Sequence, residues 1–413
     1  MANRIALTAV FVLSFVTYLA PELSFSIQLI PWIAFAVLVY FQVGWCSSVL
    51  AAVGSLLTLD GLVFTLGLCP FIVGASYYSS SNVSLPFSLF LSACLILGRL
   101  YTAVVPIAEI VEAFFWSGVI SCTLFVLMGF AFLQDAVAHL TRLSAFGFHP
   151  NLLAFVMAGY LTVMVWKIMT GRRFERLVAG PVAIACLGIL FFASSRGIIV
   201  GVVVGCAAIA LMAFLRADYL LRRRIIRLSV VGLPVAAVLV VVLWSQPWIT
   251  SLYESVDTIL ALSTPDRGFG SGLTGRLDKW HELLTIFSDG TWLLGHGIRS
   301  SDSMEQLIDN SYLVTLYELG IIPAILICAR FLLKLGLVVR GYLRRECPQQ
   351  DGFLLFLALA LTVLLVSNAF ERMLFAVGNP FSLLAFLVFV APFDKALPEP
   401  EALLRSRLLT VDN

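Results

Sequence analysis

The sequence predicts an all-α polytopic membrane protein of about 12 transmembrane helices (12–13) carrying one large extramembrane loop. Three observations predict it. Across 413 residues the hydrophobic fraction is 61% and the charged fraction 12%, against roughly 45–50% and about 25% in soluble domains. The mean hydropathy is +1.01. The apolar residues fall in runs near the roughly 20-residue length of a membrane helix. Twenty-six Lys and Arg and 24 Asp and Glu side chains cannot solvate that much apolar surface. A net charge of +2 leaves no broad footprint for nucleic acid.

Taken in order, the apolar runs are 5–20, 26–43, 45–59, 61–78, 85–99, 105–133, 151–169, 177–194, 197–215, 227–244, 311–334, 352–370 and 374–393. Several of the first five are short or nearly contiguous, so the count stays at 12 or 13. Arg4 and the run after it read as an uncleaved first span rather than a signal peptide. We divide the chain into N-terminal transmembrane helices (1–144), core transmembrane helices (145–244), a periplasmic loop (245–310), C-terminal transmembrane helices (311–393) and a cytoplasmic tail (394–413).

Sidedness follows from the basic turns, because positive loops stay cytoplasmic. Gly171–Arg176, Arg216–Arg227 and Lys334–Arg345 form three such turns. The His149-Pro150-Asn151 turn, the Ser194-Ser195-Arg196-Gly197 turn, the 245–310 segment and the Phe370-Glu371-Arg372 turn then share the outer side. The long segment holds two helix-period stretches. Leu252, Val256, Ile259 and Leu260 fit one face, and Leu277, Trp280, Leu283, Leu284 and Phe287 fit another. Short amphipathic helices lying on the outer leaflet match this pattern. Residues 270–275 spell G-x-G-x-x-G without the strand that a dinucleotide site requires, so they read as a hinge.

The eight Cys form no C-x-x-C pair, and the four His have no metal-ligand spacing. We therefore expect no metal and no cofactor. The chemistry-bearing groups are polar residues at the outer boundary, where ionisable side chains are expensive and functional by default. Arg196, Arg276 and Arg372 share that side. Guanidinium forks suit phosphate oxygens and stay charged. Headgroup snorkelling for Arg196, a solvated helix-end charge for Arg276, and an ion pair of Arg372 with its neighbour Glu371 are the plain alternatives. Asp309 and Asn310 precede a span. They read either as helix caps or, for Asp309, as a base taking a proton from a sugar hydroxyl. Glu318 lies deeper and needs a partner. Tyr312, Asn310, His149 and Asn151 are candidate glycan contacts. His281 and His296 read as surface or loop residues, and Gly295-His296-Gly297 as a turn.

Four stretches together resemble the O-antigen ligase and O-antigen polymerase superfamily of bacterial envelope glycosyltransferases. They are Gly147-Phe148-His149-Pro150-Asn151; Ser194-Ser195-Arg196-Gly197; Gly275-Arg276 with Lys279-Trp280 and then Leu294-Gly295-His296-Gly297; and Asp309-Asn310-Ser311-Tyr312-Leu313 with Glu318-Leu319-Gly320-Ile321-Ile322. The resemblance covers about residues 145–325. It implies a GT-C-like, metal-independent enzyme of the bacterial inner membrane. Such an enzyme moves glycan from undecaprenyl diphosphate to an acceptor hydroxyl at the periplasmic face, its arginines holding the diphosphate. In the ligases of this superfamily the span after the loop opens with His-Asn, nine residues, then Gly. Here the frame reads Asp309-Asn310, nine residues, Gly320. That departure favours a polymerase of O-antigen or exopolysaccharide repeats, with Asp309 as catalytic base. A ligase acting on lipid A core or protein is the nearest alternative, and a transporter or flippase of lipid-linked glycan is the alternative from another class. Partners implied by the resemblance are the lipid-linked glycan, membrane lipid, a chain-length regulator and a flippase.

Overall fold

The structure is a computed structural model. It describes residues 2–18, 29–44, 49–77, 79, 83–139, 143, 150–217, 254, 257, 280–281, 285, 291–303, 309–344, 350–374 and 379–392. The helices are α1 (Ala2–Tyr18), α2 (Ile30–Gly44), α3 (Val49–Leu57), α4 (Leu59–Tyr77, π-helical over Leu62–Leu66), α5 (Ser84–Val104), α6 (Ile107–Met128) and α7 (Phe130–His139). They continue with α8 (Pro150–Thr170), α9 (Arg173–Ala193), α10 (Arg196–Arg216), α11 (Ser311–Leu319), α12 (Ile321–Leu343), α13 (Asp351–Asn368) and α14 (Pro380–Val390). No strand occurs among the described residues. The chain is an all-α polytopic membrane protein.

Among the described residues, 8 helices are long and apolar enough to cross a membrane, or 9 if the bent pair α2–α3 is one span. Two shorter apolar helices, α1 and α14, join them. Run 227–244, most of the 245–310 loop and the C-terminal tail lie outside the described residues. Three sequence expectations are corrected. Run 105–133 divides at Gly129 into α6 and α7. Run 311–334 divides at Gly320 into α11 and α12, because Gly320 has φ +85° and a Cβ there would sit 2.4 Å from the Leu293 carbonyl oxygen. Lys334, expected in a cytoplasmic turn, lies inside α12 and is buried. Apolar residues continue on both sides of it, so the helix runs on to Leu343.

Helix α8 is the centre of the bundle. Residues Leu153 to Met164 are buried without interruption, as expected for a helix that is apolar on every face. It packs against α9, α13, α6 and α14. Helix α10 instead buries one narrow stripe, including Gly197, Gly201 and Gly205. A Cβ at these positions would come within 2.5 Å of Phe370 Cβ, 2.4 Å of Ser367 Oγ and 2.8 Å of Leu359 Cδ1. Small residues spaced by four let α10 approach α13 and the turn after it, as membrane helices do when no hydrophobic effect drives them together.

Polar groups gather at two opposite ends of the bundle. At one end Arg216 of α10 pairs with Asp351 of α13 at 2.6 Å. There Lys167 of α8 meets Glu112, and Glu175 at 3.3 Å. The opposite ends of α8, α10 and α13 carry Asn151, Arg196 and the 369–374 turn. The grouping of turns by side, expected from the basic residues, thus matches the packing of these helices.

Candidate functional site

The site is built where five segments end together. Ser194, at φ +55°, closes α9 in a left-handed cap, a conformation few non-glycine residues adopt. The chain reverses within two residues, and half-buried Arg196 becomes the first residue of α10. Its guanidinium charge is therefore added to the positive end of a helix dipole, the arrangement that attracts anions. Gly197, next along, abuts Phe370. This contact sets the first turn of α10 beside the turn bearing Glu371 and Arg372.

Glu371 is buried. Its two carboxylate oxygens accept from the Asn151 amide at 2.8 and 2.9 Å, and one accepts from Ser195 Oγ at 3.5 Å. Its backbone oxygen accepts from Ser311 N at 3.2 Å and from Ser311 Oγ at 2.9 Å. Asn368 Oδ1, 2.6 Å from Ser311 Oγ, shares that single hydroxyl hydrogen with the Glu371 carbonyl, and Ser311 Oγ accepts from Met373 N at 2.9 Å. One residue thus ties the starts of α8, α10 and α11 to the end of α13. Sequence reasoning cited Glu371 only as a neighbour of Arg372. Its long-range partners have no local signal.

Asn310 caps α11. Its Oδ1 accepts from Tyr312 N at 2.9 Å and Leu313 N at 3.1 Å, two of the N–H groups a helix start leaves unpaired. Half-buried Asp309 precedes it directly. Tyr312 Oη donates to the Leu365 carbonyl at 2.6 Å. Asn151 turns its amide N–H groups toward Glu371. Arg276 and His149 lie outside the described residues. The structure therefore brings together Arg196, Arg372, Asn151, Asn310 and Tyr312, with Asp309 beside Asn310.

Arg372 pairs with Asp302 at 2.6 Å and Glu318 at 2.8 Å, rather than with its neighbour Glu371, the plain alternative to a phosphate-binding role. Asp302 is bridged in turn by Arg299 Nε at 2.6 Å. Glu318, which needed a partner at its depth, also accepts from Ser301 Oγ at 2.5 Å. Burial pushes the Asp302 carboxyl upward, and Arg372 followed by Arg299 outweighs it, leaving the group below its ordinary value. One half-exposed carboxylate therefore holds two guanidinium groups, and an anion of higher charge can compete for both.

The loop carrying Asp302 is stapled to α11. Gly295 and Gly297 adopt φ +76° and +93°, and Arg299 adopts +64°. This winding lets His296 N donate to the Tyr317 carbonyl at 2.9 Å and Gly297 N to the Glu318 carbonyl at 2.8 Å. The free carbonyls at the end of α11 are satisfied in this way. Ser84 Oγ and Ser76 Oγ hold the Ile298 backbone from α5 and α4. Among the described residues no group of three or more His, Cys, Asp or Glu is placed to hold a metal ion.

Compared with known protein families, residues 181–328, about a third of the chain, match a family model described as O-antigen ligase. The match begins in α9, contains Arg196, Arg276 and the 291–303 loop, and ends in α12. No curated protein matches the chain.

Proposed function

We propose, from the chain's place in the O-antigen ligase and polymerase superfamily, that it is a polymerase of lipid-linked oligosaccharide repeat units. In this reading it is a GT-C-type glycosyltransferase of the bacterial inner membrane, acting at the periplasmic face. Its donor is glycan on undecaprenyl diphosphate, and its acceptor is a sugar hydroxyl of another repeat unit. One observation carries the reading. The matched segment delivers Arg196 at a helix N-terminus to the end of the bundle where Asp309, Asn310 and Arg372 also gather.

The chemistry is an in-line displacement. The acceptor hydroxyl oxygen attacks the anomeric carbon, the bond from that carbon to the diphosphate oxygen breaks, and the configuration inverts. Undecaprenyl diphosphate leaves with the bonding electron pair. Arg196, Arg276 and Arg372 stabilise the charge that develops on it, which is the dominant requirement when the leaving group is already good. Asp309 takes the hydroxyl proton. Arg372 exchanges Asp302 for phosphate oxygens when donor enters, and its carboxylate partners hold its place until then. The donor's lipid tail and sugars require a site at the apolar boundary, which these residues supply.

A ligase reading, in which finished glycan passes to another acceptor, is favoured by the matching family, which is described as O-antigen ligase. The two differ in acceptor. Purified protein given only a defined lipid-linked repeat separates them: a polymerase builds a ladder of lengths, whereas a ligase leaves the donor unextended. Loss of all extension in Arg196→Ala and Arg276→Ala is expected. Full extension in both variants would remove the diphosphate clamp.

A further inference from the structure

We infer that the turn Trp292-Leu293-Leu294 is a membrane anchor, its side chains seated among the acyl chains of outer-leaflet phospholipid. The inference rests on the chain being a polytopic membrane protein and is independent of the glycosyl-transfer reading. Thr291–Leu293 is a single turn of 3₁₀ helix opening the 291–303 loop. Trp292, Leu293 and Leu294 are 41%, 45% and 56% exposed. Three consecutive large apolar side chains on the surface form a patch, unlike the scattered single residues that any surface carries. The backbone that follows is fixed on two flanks. His296 N and Gly297 N donate to the last carbonyls of α11, and Ser76 and Ser84 hold the Ile298 backbone from α4 and α5. The patch is therefore held on the outside of a rigid loop.

The position of the turn names its occupant. The turn packs against α12, and the Leu293 backbone lies against Gly320, the residue before α12. Helix α12 has 23 residues, about 34 Å at 1.5 Å per residue, and so crosses the whole of a roughly 30 Å hydrocarbon core. Its first turn lies at the outer edge of that core, and the 292–294 turn lies beside it. Ile322, Ile325, Leu332 and Leu333 form an exposed apolar face along α12, the face a spanning helix turns to lipid. Trp292, Leu293 and Leu294 extend that lipid-facing surface at its outer end. Irregular backbone does not enter hydrocarbon where lipid contacts it, so the turn stays at the boundary and its side chains reach inward. Trp suits this level, because its ring is apolar and its indole N–H remains near the headgroups. The other end of the same loop is charged: Asp302 pairs with Arg299 and Arg372, each at 2.6 Å. The anchor thus sets the height at which the loop offers Asp302 to Arg372.

The test is tryptophan quenching in the whole protein. Wild type and Trp292→Phe are each reconstituted into phosphatidylcholine vesicles, with and without bromine on the acyl chains near the headgroup end. The difference between the two proteins isolates the Trp292 emission, and Phe keeps the turn apolar. That emission is expected to be lost in the brominated vesicles. Bromine placed at the far end of the acyl chains should quench it less, because the turn lies at the boundary. Trp292 emission that survives bromine at both depths overturns the anchor. Aqueous iodide then says why: it quenches a turn that stands in water and spares one covered by another part of the chain or a second copy. Thermal unfolding confirms that Trp292→Phe is folded. Where it is not, Leu294→Trp adds an indole to the same turn, and the gained emission is read in place of the lost one. Loss of that gained emission in brominated vesicles supports the anchor, and its survival overturns it. Neither result bears on the diphosphate clamp, which Arg196→Ala tests separately.

Discussion

Two arginine–carboxylate clusters in this protein use the same chemistry in different surroundings. In the first, Asp60 joins Arg99 and Arg330. Both arginines are fully buried, and the Asp60 side chain is 14% exposed. In the second, Asp302 joins Arg372 and Arg299, and the three side chains are 34%, 29% and 40% exposed. The first cluster has a structural task. Helix α14 has 11 residues, about 16 Å at 1.5 Å per residue, which is half of a roughly 30 Å hydrocarbon core. Ala391 caps it and Pro392 follows. Phe389, Val390 and Ala391 at its end are buried, so their carbonyls need partners within the protein. Arg330 donates to the carbonyls of Phe389, Val390 and Ala391, Arg99 to that of Val390 at 3.0 Å, and Lys334 to that of Ala391 at 2.7 Å. These cations also complement the negative end of the helix dipole. Every charge there is committed to the fold. In the outer cluster Arg372 and Arg299 pair with carboxylates and the side chains of all three residues are partly exposed, so those partners can be exchanged for a ligand. Burial and backbone commitment, rather than the presence of arginines, separate this structural cluster from the one in the proposed site.

The largest effect is expected where a charge is committed. Asp60→Asn leaves two buried guanidinium groups facing each other and should destabilise the fold by about 3–5 kcal/mol, read as a fall in the unfolding midpoint in detergent. Adding Arg99→Met should recover part of the loss. An Asp60→Asn protein that melts like wild type breaks the contrast between the two clusters.

Arg196→Ala should leave the unfolding midpoint nearly unchanged and lower the transfer rate about 100- to 1000-fold. Measuring both on one preparation sharpens the comparison, because a structural arginine would move the midpoint as well. Glu371→Gln is intermediate. It keeps the shape and removes the charge that gathers Asn151 and Ser195, and should cost about 1–3 kcal/mol of stability together with a reduced rate. A thermal midpoint equal to wild type would show that the starts of α8 and α10 need no such tie.

The smallest effect belongs to the exposed network. Asp302 has a carboxyl held below its ordinary value by Arg372 and Arg299. Its contribution is therefore present above the ordinary carboxylate range and is lost as pH falls through the lowered value. Solvent screening keeps it to about 0.2–1 kcal/mol. Unfolding midpoints of wild type and Asp302→Asn should differ slightly at neutral pH and converge in acid. A gap that widens in acid contradicts that assignment.

How much was legible depended on range. The all-α polytopic character was legible from apolar runs, because lipid imposes length and composition locally, whereas the number of spans was not. Asn310 was legible as a cap because the cap lies within three residues of the groups it satisfies. The turn at Gly295-His296-Gly297 was legible from glycine. By contrast, Arg99 and Arg330 sit inside apolar runs, and Asp60 stands between two. Their signal was available as opposite charges buried in spans, which must find one another, yet the pairing joins residues 39 and 270 positions apart. Lys334 was misread as a loop residue for the same reason. The pairing of Arg372 with Asp302 depends on how the 291–303 loop folds back onto α11, and no local pattern encodes that. The break at Gly320 was hidden because apolar residues flank it on both sides.

The most direct measurement is gel analysis of the product made by purified protein from a single undecaprenyl-diphosphate-linked repeat unit, with no other acceptor present. The account predicts a ladder of extended chains from the wild type and unextended donor from Arg196→Ala, Arg276→Ala and Asp309→Asn. A ladder of full length from all three variants, or no extension by the wild type, would contradict it.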